Sequence, residues 1–184
     1  GYLKCDDERV SYWRTFLEER YGRRQKFVGI SWSGGATTLK KARTFFGTRK
    51  ESYKPIFEVE GVTFISVMYF DVNRDLKELR EQGVQIFQIP NVDMKNDLEE
   101  VSAITKALDL VISTETFPAM HAPALGTEAW VLTNAAAHYY MDSEDEMPWF
   151  KRKKVFKIER SDKLNHVIGI TKAIASKLKS EASN

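Results

Sequence analysis

The stretch from Leu108 to Leu132, LDLVISTETFPAMHAPALGTEAWVL, constrains the fold of this chain more than any other. It compresses a strand, a tight loop, a short helix and a second strand into minimal length. Leu108–Ser113 is an apolar run of strand length, Pro118 falls where a first helical turn tolerates proline, and Gly126 stands just past the helix as a stop. Ala129–Thr133 then resumes as a second apolar strand. Two near-continuous apolar strands joined through a helix imply a parallel pair covered on both faces, and the loop between them opens at the carboxyl edge of the sheet. Glu115, Thr116 and Phe117 occupy that edge, where a Rossmann-type sheet holds a ligand.

The rest of the chain repeats the alternation. Val10, Trp13, Leu17 and Tyr21 recur at spacings of three and four, with Asp6 and Asp7 placed to cap a helix over Asp6–Tyr21. Arg23, Arg24 and Lys26 lead into a first strand, Phe27–Trp32, closed by Ser33-Gly34-Gly35. Residues 36–52 are polar and aperiodic, a loop with at most one helical turn. Val62–Met68 reads as a second strand, Leu76 with Leu79 as a short helix ended by Gly83, and Val84–Ile89 as a third strand. Asp97 with Glu100 gives the reciprocal capping pattern before Val101, Ile104 and Leu108. Val155–Ile158 reads as an edge strand, and Leu164, Val167, Ile168, Thr171, Ile174 and Leu178 trace one face of a terminal helix. The sum is an α/β chain, a single Rossmann-like, doubly wound, mainly parallel sheet of about six strands with helices on both faces. Residues 1–25 form a lead-in helix and linker, 26–176 the Rossmann-like domain and 177–184 a frayed tail.

Composition narrows the partners. At 184 residues the chain holds one core-bearing domain. A net charge of +2 speaks against affinity gained by neutralising many nucleic-acid phosphates. Cys5 is the single cysteine, which excludes an internal disulfide and a four-cysteine zinc site and fits a reducing compartment. No apolar run reaches about 18 residues and no signal-peptide core is present, so a cytoplasmic location without a transmembrane segment is expected. Gly1 without a preceding Met suggests a piece of something larger.

Three segments, in order, resemble the carboxyl-terminal, donor-binding half of glycosyltransferases of the GT-B fold. The branch is the heptosyltransferase-like one, glycosyltransferase family 9-like, of the kind found after tetratricopeptide repeats in bacterial proteins. Tyr2-Leu3-Lys4 through Asp7, Arg9, Val10 and Trp13 resembles the lead-in helix; Val28-Gly29-Ile30-Ser31-Trp32-Ser33-Gly34 the first strand and glycine turn; Ala107–Gly126 with Trp130 the donor-site core. The family pattern there is Asp-Thr, a small residue, then His. Here it reads Glu115-Thr116-Phe117-Pro118-Ala119-Met120-His121, so Asp has become Glu, the small residue Phe, and His lies one place later. One position is about 100° of helix rotation, which sets Met120 at the family's histidine position. Pro118 removes an amide and Phe117 restricts close approach, so donor binding is weakened or reshaped.

The resemblance implies donor and phosphate contacts from Ser33, Gly34, Gly35, Glu115, Thr116, Phe117, Met120 and His121, with a cation from Lys40, Lys41, Arg43 or Arg49. Tyr69 and Asp71, just past the second strand, are the ribose and base candidates. Each has a plainer reading. Ser33-Gly34-Gly35 makes an ordinary turn, the loop cations are solvated, Thr116 caps its helix, and Asp71 is a loop acid. His121, His138, Asp142 and Glu144 match no tight metal-ligand spacing, so no metal is expected. Lys151–Lys154 suits an exposed sheet edge rather than nucleic acid, and Trp149 with Phe150 lines a ligand mouth or closes the core.

The activity the resemblance implies is metal-independent transfer of a sugar from a nucleotide sugar to an acceptor hydroxyl, with no cofactor. Acceptor and general base come from an amino-terminal Rossmann half, and the partner in cis or trans is that half or a tetratricopeptide repeat region. The isolated chain should bind a nucleotide diphosphate weakly and be inactive. The alternative is a degenerate Rossmann module acting as a scaffold or protein-interaction domain, motivated by Phe117, Pro118 and the displaced His121. A different nucleotide-binding Rossmann enzyme is opposed by the missing third glycine of the dinucleotide fingerprint.

Overall fold

The computed structural model describes residues 1–34, 48–134, 150, 153–158 and 163–182. Six parallel strands, β1 (Lys26–Ser31), β2 (Val62–Ser66), β3 (Ile86–Phe87), β4 (Leu110–Thr114), β5 (Glu128–Asn134) and β6 (Lys153–Ile158), lie in the order β3-β2-β1-β4-β5-β6. The helices are α1 (Asp7–Tyr21), α2 (Lys54–Phe57), α3 (Asn73–Glu81), α4 (Leu98–Ala107), α5 (Phe117–Leu125) and α6 (Lys163–Ala182), with a 3-10 turn over Lys50–Tyr53. No helix among the described residues is long and apolar enough to cross a membrane.

Alternation along each strand divides the core in two. Val28, Ile30, Leu110, Ile112, Trp130 and Leu132 face one side and meet Tyr53, Ile56, Leu76, Leu79, Ile174 and Leu178 of the 3-10 turn, α2, α3 and α6. Phe27, Ile65, Val111, Ala129 and Val131 face the other and meet Trp13, Leu17, Ile104 and Ala119 of α1, α4 and α5. Helices cover both faces, as the sequence alternation requires. Gly29 is compelled by packing: a Cβ there would lie 2.8 Å from Leu108 Cδ1 and 3.1 Å from Val67 Cγ1.

The lead-in helix is part of this core. Asp6 caps it, accepting from Glu8 N at 2.8 Å, and Trp13 and Leu17 are buried on α4. The Trp13 indole donates to Glu100, which also pairs with Arg9. Arg14 binds Asp109 at 2.8 Å, and the other oxygen of Asp109 takes the Phe27 amide at 2.8 Å, joining α1, the end of α4 and β1.

Several sequence expectations shift. The third strand shrinks from Val84–Ile89 to Ile86–Phe87, because the Val84 amide closes α3 on Leu79 and only Phe64 and Ile65 of β2 offer partners. A helix, α2, follows the single turn expected near 50; Pro55 sits in its first turn and Ile56 is buried. Residues 177–182, expected to fray, continue α6, since Leu178 is buried and Glu181 pairs with Lys26 of β1 at 3.0 Å.

Candidate functional site

β1 and β4 are neighbours, yet the chain leaves β1 for the face of α2 and leaves β4 for the face of α5. This divergence makes the carboxyl ends of both strands a switch point, the position at which doubly wound sheets accept ligands. Three expected site residues converge there. Gly34 is buried against Thr116 and Tyr69: a Cβ on it would stand 2.3 Å from Thr116 Cγ2 and 3.1 Å from the Tyr69 hydroxyl. The turn before it is fixed from behind. Trp32 is buried and donates its indole to Asp75 at 3.3 Å, and its carbonyl accepts from both the amide and the hydroxyl of Thr48, at 3.1 and 2.9 Å.

Thr116 stands at the N-cap of α5 with extended backbone, but its side chain makes no cap bond. Its methyl faces Gly34, and its hydroxyl lies 3.3 Å from both Ser113 Oγ and the Thr114 carbonyl. Ser113 spends its own proton on the Thr114 carbonyl at 2.7 Å, so Thr116 is the donor in this trio. To donate to a phosphate oxygen it has to leave both partners. The helix entrance is poor in amides as well: Pro118 has no N–H, and Ala119 N is taken by the Thr116 carbonyl at 3.0 Å. Beneath the turn, the buried Thr114 hydroxyl has no hydrogen-bond partner among the described residues.

The remaining candidates disperse. Glu115 accepts from Thr133 at the end of β5 and so braces two strand ends. Phe117, 42% exposed, stacks on His121 with centroids 4.6 Å apart. His121 Nε2 lies 3.0 Å from Ser102 Oγ of α4, and Ser102 donates its only proton to the Leu98 carbonyl at 2.6 Å, which makes His121 the Nε2–H donor. Burial alone pushes its pKa down. Met120 packs against the cluster of Ala124, Phe150 and Val155, and Phe150 is buried core, stacked on Tyr2. Asp71 accepts from the Asn73 amide at 2.9 Å and starts α3.

Gly35, Lys40, Lys41, Arg43, His138, Asp142, Glu144, Trp149 and Lys151 lie outside the described residues. Of the cations that follow, Arg49 is exposed and Lys50 is committed, bonded to Glu78 at 2.8 Å, Asp75 at 2.9 Å and Glu51 at 3.4 Å. Nothing in the sequence singles out Lys50, because its two nearer acids, Asp75 and Glu78, arrive from α3. Among the described residues no three of His, Cys, Asp and Glu gather into a metal-binding group.

No family model matches the chain. It is 31% identical over 161 residues to a protein of Caulobacter vibrioides named FlbA, a match covering 87% of this chain and 26% of that one. Among solved structures it is similar to a glycosyl transferase family 9 protein of Veillonella parvula, with a TM-score of 0.55, 11% identity, and coverage of 99% of this chain and 52% of the other. It is also similar to the ADP-heptose lipopolysaccharide heptosyltransferase II of E. coli, with a TM-score of 0.55, 13% identity, and coverage of 98% and 53%. The chain thus has the fold of about half of a family 9 glycosyltransferase structure, and spans about a quarter of FlbA.

Proposed function

We propose that this chain is the nucleotide-sugar, donor-binding domain of a glycosyltransferase. Its ligand is a nucleoside diphosphate sugar, and the acceptor hydroxyl and general base are supplied by an amino-terminal Rossmann half, in cis or in trans. The observation that carries this reading is the meeting of Gly34, Thr116 and Tyr69 at the switch point between β1 and β4. The fold shared with family 9 glycosyltransferases supports it, as does the Thr114 hydroxyl, which has no hydrogen-bond partner among the described residues. In this reading the departing diphosphate is stabilised without a metal, by Thr116 after rotation of its hydroxyl and by a cation from Lys40, Lys41 or Arg43, in place of the amides that the entrance of α5 lacks. The domain alone transfers no sugar.

A second reading, a Rossmann module kept as a scaffold, is favoured by one geometric fact: the Thr116 hydroxyl turns inward and its methyl abuts Gly34. Calorimetry against UDP, GDP and ADP separates the two. Weak heat with one nucleotide, reaching saturation in the millimolar range, is expected of the donor domain. Silence with all three gives the scaffold reading the field.

A further inference from the structure

Helix α1 is apolar on two sides. Trp13 and Leu17 are buried in the core with α4, while the outward side carries Tyr12, 61% exposed, and the half-buried Phe16. The same layer holds every other large apolar side chain left exposed among the described residues: Tyr2 and Leu3 of the lead-in, Leu98 of α4 and Phe117 of α5. Two rows spaced by four, Glu8-Tyr12-Phe16 and Ser11-Thr15-Glu19, run along the outward side of α1. These six residues line an open groove of about 490 Å³. Ser11 and Thr15 leave the room because they are short, and Ser11 turns its hydroxyl back to the Asp7 carbonyl at 2.8 Å. The rings opposite are fixed on the core: the buried Trp13 meets Tyr12 edge-on at 5.1 Å and Phe16 at 5.4 Å.

A groove between two such rows is the shape into which a second helix lays a ridge of its own side chains. The charges say which helix. Glu8 and Glu19 stand toward the two ends of the groove, three turns or about 16 Å apart along the axis, and no cationic side chain lines it. Among the described residues neither carboxylate forms an ion pair, for the cations of α1 are engaged elsewhere: Arg9 by Glu100, Arg14 by Glu18 and Asp109, and Arg20 over the Tyr21 ring at 5.9 Å. A cation arriving here meets a carboxylate and, beside it, the exposed ring of Tyr12.

We propose that the outward face of α1 docks a basic amphipathic helix of a partner protein. Its apolar ridge lies in the groove against Tyr12 and Phe16, and lysine or arginine side chains about three turns apart meet Glu8 and Glu19. Exposed carboxylates select and steer a partner more than they hold it, so the rings supply the affinity and the acids the choice.

The test is binding of the chain to three labelled synthetic peptides of one length, read by fluorescence anisotropy: an amphipathic helix with a leucine ridge flanked by lysines, the same helix with glutamate for lysine, and a scrambled lysine peptide without the ridge. The lysine helix should bind about tenfold tighter than either control, and its lead over the glutamate helix should shrink in high salt. Tyr12→Ser should weaken it about tenfold, the loss of one ring anchor, and Glu8→Gln with Glu19→Gln should bring the lysine and glutamate helices within about threefold of each other. Both changes fall on exposed side chains, so urea midpoints should hardly move and lost binding is not lost fold. Equal affinity for the three peptides, no binding of the lysine helix at millimolar concentration, or binding indifferent to Tyr12→Ser overturns the proposal. Sedimentation that shows two copies of the chain paired through this face, with the pairing abolished by Tyr12→Ser, overturns it as well.

Discussion

Gly34 and Thr116 hold the turns after β1 and β4 against each other with no room for a methyl group between them. Both neighbours of that space are short side chains or backbone on strand ends, so a clash there is relieved only by moving a turn.

Gly34→Ala is therefore expected to destabilise the domain by about 1–3 kcal/mol, the range for overpacking a filled site. Thr116→Ser removes the nearest obstructing atom and should recover part of the loss, with a coupling of about 0.5–2 kcal/mol between the two positions. Urea midpoints of the two single variants and the double variant measure it. Strict additivity would mean that the turns do not press on each other.

Lys50 pins the 3-10 turn to α3 through Asp75 and Glu78. The carboxylates are a third or more exposed, so screening limits the loss in Lys50→Met to a small drop in the urea midpoint. The pH dependence is the sharper test. The bond from Lys50, then that from Arg74, lowers the Glu78 pKa in the folded state, so the contribution is complete above the unfolded value of about 4.3 and fades as pH falls through the folded one. Urea midpoints should drop below that pH, and drop less in Lys50→Met. Asp93, also lowered by its bond from Asn96, keeps a residual slope in both proteins.

His121 should titrate below the ordinary value of about 6.5, because burial disfavours its charged form. As pH falls, the unfolded chain takes the proton first, so stability declines from about pH 6.5 downward. His121→Phe, which keeps a ring against Phe117, should abolish that part of the decline. Nitrogen-15 shifts of the imidazole should report the Nε2–H tautomer, and an Nδ1–H tautomer would contradict the arrangement with Ser102.

The fold was legible wherever burial is written as periodicity. Val10 to Tyr21, Leu110 to Thr114 and Glu128 to Asn134 are found where their apolar patterns lie, and the capping Asp97 accepts the Glu100 amide at 3.2 Å. Glu100 does not reciprocate, because Trp13 and Arg9, distant in sequence, claim its carboxylate. The same cause explains the tail. Nothing local reveals that Glu181 has a partner 155 residues away in Lys26. At the candidate site, position along the chain identified the strand ends, but side-chain direction depended on tertiary partners: Thr133 for Glu115, Ser102 for His121, Phe150 for Met120. The convergence of Gly34, Thr116 and Tyr69 needed the strand order, which spacing alone does not supply.

Gly29 brings Leu108, Val67 and Val111 to a single point on β1, five positions upstream of Gly34. A strand gripped from three directions cannot slip lengthwise without dragging the tail of α4 and two adjoining strands with it. Any adjustment of the Gly34–Thr116 contact therefore falls to torsions above that grip, first of all the χ1 of Thr116, while the foundation stays put.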